Sequence, residues 1–253
     1  MSQCCYAPPE LWVDDTVTLP ADEAHHISRV LRAAAGDSLL ITDGCGLQAV
    51  GHITQCRKGH VVLSVSERRS VPAFMPELHL IQPLIRTQRM DWIIQKAVEL
   101  GIQHIHPVRS DHAVVHLDNV QAEKKAEHWA GIAIAAMKQS NQVWLPQIHA
   151  VDSVCNTIDA FDGTLLYGDL SSSAQPLSTV LPSLHSNISQ RAGLLLGPEG
   201  DFSPRERACF ASKNTMIPVS LGAQIFRAET ASIYLMCLTH YALRAHSERD
   251  NLL

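Results

Sequence analysis

Two textures in one chain predict an α/β fold with a mostly parallel sheet, preceded by a small β-barrel. Up to about Ser70, short strand-like runs are separated by turn dipeptides, as in a small barrel. From Leu78 onward, strand-like runs interleave with helical ones. Three of them, "TLLYGD", "AGLLLG" and "TMIPVSLG", are apolar without alternation, as strands buried on both faces are. The texture change sets two domains, 1–70 and 71–253.

The first domain reads as the strands "LWVDDTVTL", "SLLITD", "LQAVGHIT" and "HVVLSVSE", with Asp43-Gly44 and Lys58-Gly59 as turns. One helix interrupts them, "ADEAHHISRVLRAA". Its Ile27, Val30 and Leu31 share a face, and Gly36 lies just past its end. The stretch "RRSVPAFMPE" has two prolines and no periodicity, and reads as a linker. In the second domain "LHLIQPLI" and "IQHIHPV" are strands. "RTQRMDWIIQKAVELG" is an amphipathic helix closed by Gly101, and "NVQAEKKAEHWAGIAIAAMKQ" is a long one. A last helix starts near Arg227 and runs through "ASIYLMCLTHYALRAH".

Composition narrows the function. With 253 residues, 46% apolar and 18% charged, the chain can bury a sizeable core. Its net charge of -5 gives no global basic field. Locally the balance reverses: Ala24 to Lys96 holds nine Lys/Arg against five Asp/Glu. Seven cysteines, odd in number and without CxxC spacing, suit a reduced cytoplasmic protein, as does a start that does not read as a signal peptide. Apolar tracts such as "AGIAIAAM" are too short to cross a bilayer. Among fourteen histidines, His104 and His106 share a strand face and His112 and His116 could share a helical one. Neither pair has a second pair to match, so no metal is expected.

Parallel sheets bind ligands at the carboxyl ends of their strands, where two loops stand out. In "LLLGPEGDFSPRE", Leu194–Leu196 ends a strand and Gly197 to Asp201 forms a loop. Ser203, Pro204 and Glu206 then open a helix with a capping box. In "SLGAQIFRAETA" a strand ends at Leu221-Gly222, and Glu229 and Thr230 fall in the first turn of the last helix. No GxGxxG follows the first strand of this domain and no GxxxxGK[ST] occurs, which disfavours dinucleotide and P-loop folds.

The two loops together resemble the paired C-terminal motifs of the RsmE family, 16S ribosomal RNA uridine-N3 methyltransferases of the SPOUT class. "HHISRVLRAAAGD" is similar to that family's PUA-like barrel, and "RMDWIIQKAVELGIQHIHPV" to its first helix-strand unit. The resemblance implies a trefoil-knotted SPOUT-type sheet behind a PUA-like RNA-binding barrel, and S-adenosylmethionine as methyl donor. It carries cofactor binding onto Leu196, Gly197, Pro198, Glu199, Gly200, Ser220, Leu221, Gly222, Ile225 and Phe226.

Catalysis falls to Arg227, either stabilising charge on the uracil or only pairing with Glu229. Glu199 and Glu229 are candidate bases, with reaction through solvent the alternative. Arg29, Arg32, Arg68, Arg69, Arg86 and Arg89 are the expected RNA contacts. Implied partners are 16S rRNA within the small subunit and a second copy, docked on the last helix through Ile233, Leu235, Met236, Leu238 and Tyr241. The chain departs from the family pattern at Asp201 and Asn141, where Gly is usual, at Gln224 and Gln142, where Arg is, and at Lys138, where Glu is. Those departures keep two alternatives open: a catalytically weak RNA-binding protein with the same fold, and a SPOUT methyltransferase with another RNA target.

Overall fold

In the computed structural model, which describes residues 4–184 and 190–250, the alternating runs of the first part form one six-stranded sheet. Its strands are β1 (Cys4–Tyr6), β2 (Trp12–Val13), β3 (Thr16–Thr18), β4 (Ser38–Thr42), β5 (Leu47–Arg57) and β6 (His60–Ser70). They lie in the order β1-β4-β5-β6-β3-β2, and among the described residues the outer two do not pair, which leaves the barrel open there. β5 and β6 make a hairpin around Lys58-Gly59, where Gly59 adopts the positive φ of 73° that tight hairpins favour. Inward-facing Ile41, Ile53, Val61 and Leu63 are buried and supply its core.

The barrel helix is shorter than its sequence suggests. α1 spans Ala21–His25, a π-turn covers His26–Val30, and Arg32 then reverses the chain at φ 55°. Ser28 Oγ donates to the Ala24 carbonyl at 2.7 Å, a back-bond of the kind that bends helices. The stretch read as a linker also begins inside a strand, since β6 runs through Arg68 and Arg69.

Residues Ile134–Leu145, distant in sequence, belong to this unit. Lys138 pairs with buried Glu23. Gly46 N–H donates to the Val143 carbonyl at 2.9 Å, and the Trp144 indole donates to Val71 at 3.0 Å.

The second unit, Phe74–Ala133 with the chain from Pro146, is the α/β part. Its strands are β7 (Glu77–Pro83), β8 (His104–Arg109), β9 (Gln147–Ile148), β10 (Asp152–Ser153), β11 (Thr164–Gly168), β12 (Gln175–Pro176), β13 (Arg191–Leu195) and β14 (Met216–Ser220). The order is β10-β8-β7-β13-β11-β14-β12, with β9 also on β8, and every one of these pairs is parallel.

The unbroken apolar runs now make sense: Leu80, Leu166 and Leu194 face one core, and Ile81, Leu165 and Leu195 face the other. The first core is covered by α2 (Thr87–Glu99), by Trp129 of α3 (Asn119–Ser140) and by α7 (Ala228–Asp250). The second is covered by α4 (Val154–Ala160) and α6 (Pro204–Ala211). Between β12 and β13 lies a short helix, α5 (Leu177–Val180).

One position makes the fit of the first unit testable. Gly46 has φ 96°, and a Cβ there would lie 2.5 Å from the Trp144 ring and 2.8 Å from the Val71 carbonyl. Gly46→Ala adds backbone strain to overpacking and should cost about 2–4 kcal/mol. A fall in melting temperature with altered tryptophan fluorescence is the expected readout.

Candidate active site

β11 lies between β13 and β14, so three parallel neighbours end side by side. Their exits are Gly168-Asp169, Leu196-Gly197 and Leu221-Gly222. Together with Arg89 at the start of α2 and the first turn of α7 they enclose a cavity of about 490 Å³. The lining is largely apolar, from Leu196, Val219, Leu221, Ile225 and Phe226. Glycine at 168 allows the close packing: a Cβ there would meet the Leu196 side chain at 2.6 Å. Gly222 takes φ 131° as its strand turns into the loop.

The loop after β13 is held from both sides. Ser203 caps α6 with both halves of a capping box in place. Glu206, wholly buried, accepts from the amides of Ser203 at 2.7 Å and Asp111 at 3.0 Å. Ser203 Oγ donates to Asp111 at 2.6 Å. The Gly200 carbonyl meets His112 Nδ1 at 3.1 Å.

Two sets of ion pairs lie at the cavity, which Arg89, Glu199, Asp169 and Asp201 line. Arg89 Nη1 donates to Glu199 Oε1 at 3.0 Å, and its Nε lies 3.5 Å from Glu229 Oε1. The other Glu229 oxygen is buried and has no hydrogen bond among the described residues. α7, which carries Glu229, is pinned by Ser232, whose hydroxyl donates to buried Gln82 of β7 at 2.8 Å. In the second set, Arg207 bridges Asp169 at 2.9 Å and Asp201 at 2.6 Å. Arg227 lines the cavity and is exposed, and its side chain has no ion-pair or hydrogen-bond partner among the described residues.

The profile of the RNA methyltransferase domain family matches residues 73–240, about two-thirds of the chain, and that of the RNA methyltransferase PUA domain matches 19–66. The chain belongs to the RNA methyltransferase domain family. A curated relative, ribosomal RNA small subunit methyltransferase E of Bacillus subtilis (strain 168), is 28% identical over 89% of this chain and 90% of its own. A solved ribosomal RNA small subunit methyltransferase E from Neisseria gonorrhoeae, bound to S-adenosyl methionine, is 27% identical at a TM-score of 0.84. That match covers 95% of this chain and 98% of that one. A probable rRNA-methyltransferase from Porphyromonas gingivalis is 30% identical at a TM-score of 0.79, covering 96% and 99%. The RsmE resemblance and the SPOUT-type fold with a PUA domain are thereby borne out.

In this RNA methyltransferase family member, eight of the ten residues carried over for the cofactor line the cavity. Gly200 and Ser220 are not among its lining residues. Gly200 instead makes room for its neighbour, since a Cβ there would lie 3.0 Å from both the Cβ and the carbonyl of His112. The structure joins Glu199 and Glu229 through Arg89, a residue read as an RNA contact, and it does not pair Arg227 with Glu229. Of the other arginines, Arg29, Arg32 and Arg69 are exposed in the first unit, where Arg68 is tied to Asp15 at 2.9 Å. Arg86 is exposed in the second. Asp169 escaped the sequence reading, although "TLLYGD" carries the same strand-end glycine as the two loops that were singled out.

At the amino ends of β7 and β8, away from this cavity, His79 and His149 join His104 and His106. The expectation that no second pair accompanies the latter is therefore corrected. Burial lowers the pKa of all four rings, to about 4 at His79 and about 3 at His106. His112 and His116 lie in the loop before α3 and share no helical face.

Asp169 yields a pH prediction. Burial raises its pKa, but the Ser171 hydroxyl and the Arg207 guanidinium outweigh that and hold the carboxyl below its ordinary value. A carboxyl more acidic in the folded state stabilises above its unfolded pKa, near 4. The benefit fades as pH falls through the folded value. Arg207→Leu should therefore be destabilising at pH 7, by a margin that narrows below about pH 4. Paired melts of both proteins at pH 7 and pH 3 measure that margin.

Proposed function

We propose that the protein transfers a methyl group from S-adenosylmethionine to N3 of a uridine in small-subunit ribosomal RNA, in the cytoplasm. The observation that carries this reading is the cavity at three adjacent strand ends, in a chain whose relatives bear the names given above. Its volume suits a small-molecule cofactor. Leu196, Leu221 and Phe226 offer an apolar bed for an adenine ring, and Gly197 and Gly222 leave backbone groups approachable. Asp169, Glu199 and Asp201 line the cavity against Arg89 and Arg227, so three carboxylates meet two guanidiniums and the balance favours a cation. S-adenosylmethionine supplies an electrophilic methyl on a positively charged sulfur.

Positioning then provides much of the rate, because the reacting nitrogen needs only to lose a proton and lie in line. Arg227 is free to meet the uracil carbonyl oxygens as negative charge develops. Glu199 is bonded to Arg89, and Glu229 is buried outside the cavity lining, so we assign the N3 proton to solvent. The domains 1–70 and 71–253 divide the work between RNA holding and chemistry, with exposed Arg29, Arg32, Arg69 and Arg86 as phosphate contacts.

The second copy docks on the face formed by α2 and α7. Leu235 and Met236 are used up in the chain's own core, whereas Trp92, Tyr234 and Tyr241 are exposed by 46%, 40% and 72%. Gln224 lines the cavity where Arg is usual, which favours the weak-enzyme reading as the alternative.

Calorimetric titration with S-adenosylmethionine, followed by mass spectrometry of rRNA nucleosides from cells lacking the protein, tests the assignment. Absence of cofactor binding, or an unchanged methyluridine at N3, rejects it. Arg227→Ala should lower single-turnover methylation by roughly 10²–10³-fold with cofactor affinity nearly intact. Arg227→Lys should recover little, since an ammonium lacks the two-pronged donor geometry. Full turnover by a folded Arg227→Ala protein would exclude the catalytic role.

A further inference from the structure

We propose that Glu77, His79 and His104 bind a borderline divalent transition-metal ion, with zinc as the type, at the amino ends of β7 and β8. The parallel register sets His79 opposite His104, and their rings stack at 4.2 Å with 7° between planes, so one ring must turn out of the stack for both lone pairs to reach one ion. One donor atom from each of Glu77, His79 and His104 lies within 4.8 Å of the other two. Two imidazoles and a carboxylate are a donor set that zinc accepts, with a fourth position left for water.

The shell around these three is already built. His79 Nδ1 lies 3.0 Å from His106 Nε2, and His104 Nδ1 lies 3.1 Å from His149 Nε2. With the proton on each Nδ1, His106 and His149 accept, and the Nε2 lone pairs of His79 and His104 are left for an ion. Metal-bound imidazoles are commonly oriented by such a bond from their other nitrogen. Arg191 Nε donates to Glu77 Oε2 at 2.9 Å, which fixes the carboxylate in the same manner.

An independent observation points to a missing partner. His79 Nε2 is buried with no hydrogen bond among the described residues, on a side chain only 8% exposed. Glu77 Oε2 lies 3.6 Å away, beyond hydrogen-bond reach. A groove of about 540 Å³, lined by His79, His106, His149 and Arg191 but by neither Glu77 nor His104, reaches the site from the His79 side. The bound ion would cross-link β7 and β8 at the end of the sheet opposite the cavity.

The test uses untagged full-length protein stripped with a chelator, and cobalt(II) as the probe. One equivalent should bind, with the intense visible absorption of a four-coordinate ion, and zinc should displace it. His79→Phe and His104→Phe keep a ring in the stack and should each abolish that absorption. His106→Phe should weaken binding by roughly 10–100-fold, as loss of an orienting partner does. Zinc at a hundredfold excess over its Kd should raise the melting temperature of the unaltered protein by about 5–10 °C and leave the two ligand variants unmoved. Circular dichroism of the metal-free variants checks folding, and Glu77→Gln replaces either one that fails. No stoichiometric uptake of cobalt, or a band that survives in the folded ligand variants, would overturn the proposal.

Discussion

Glu206 is wholly buried, and each oxygen of its carboxylate accepts one backbone N–H, from Ser203 and from Asp111. A carboxylate removed from water needs such partners, and charge-assisted bonds of this kind contribute on the order of 1.5–3 kcal/mol each. Its place in the first turn of α6 adds the favourable field of the helix amino terminus. The two amides come from separate elements, the loop after β8 and the residue before α6. Glu206 therefore fixes the Gly-Pro-Glu-Gly loop relative to the sheet. Asp111 reinforces the joint through Ser203 and Arg205. A loop held this firmly has little freedom left to lose when a ligand arrives, which is the physical use of its rigidity.

That fixed loop decides where Glu199 sits, and with it the charge balance of the cavity. Arg89 reaches from α2 to Glu199 on the loop and toward Glu229 on α7, so one guanidinium orders groups from three elements. The division of labour among the basic residues follows. Arg89 organises the cavity, Arg207 braces Asp169 and Asp201, and Arg227 alone of these three keeps its donors free. A guanidinium engaged by two carboxylates is a poor candidate for meeting charge on an incoming base, whereas an exposed one beside the same cavity is well placed.

Much of this was legible in the residues. The 3.6-residue period of "RMDWIIQKAVE" and the capping box at Ser203 are local signals, and both elements form where they indicate. The run "AGLLLG" could be read as doubly buried because every position is apolar, whichever core it faces. What stayed hidden depends on pairing between distant segments. Nothing local says that Trp144 packs on Gly46, or that β7, β8 and the segment after β9 bring His79, His104 and His149 together. α4 escaped because seven residues are too short for a period to register. Arg89 was read by its charge alone, and charge does not say whether a side chain faces solvent or a pair of carboxylates.

The departures from the family pattern carry their own physical argument. Asp201 adopts φ 59° and Asn141 adopts φ 54°, the left-handed region that glycine enters freely. Asp and Asn are the non-glycine residues that tolerate it best, because their short polar side chains bond locally. Asp201 does so, accepting from the Phe202 amide at 2.7 Å and from Arg207 at 2.6 Å. Where Glu is usual, Lys138 meets the buried carboxylate of Glu23 and leaves no charge stranded. These exchanges therefore preserve backbone path and charge pairing. Gln224 is of another kind. It lines the cavity itself, so the missing guanidinium there alters what the site can offer a substrate and leaves the fold untouched.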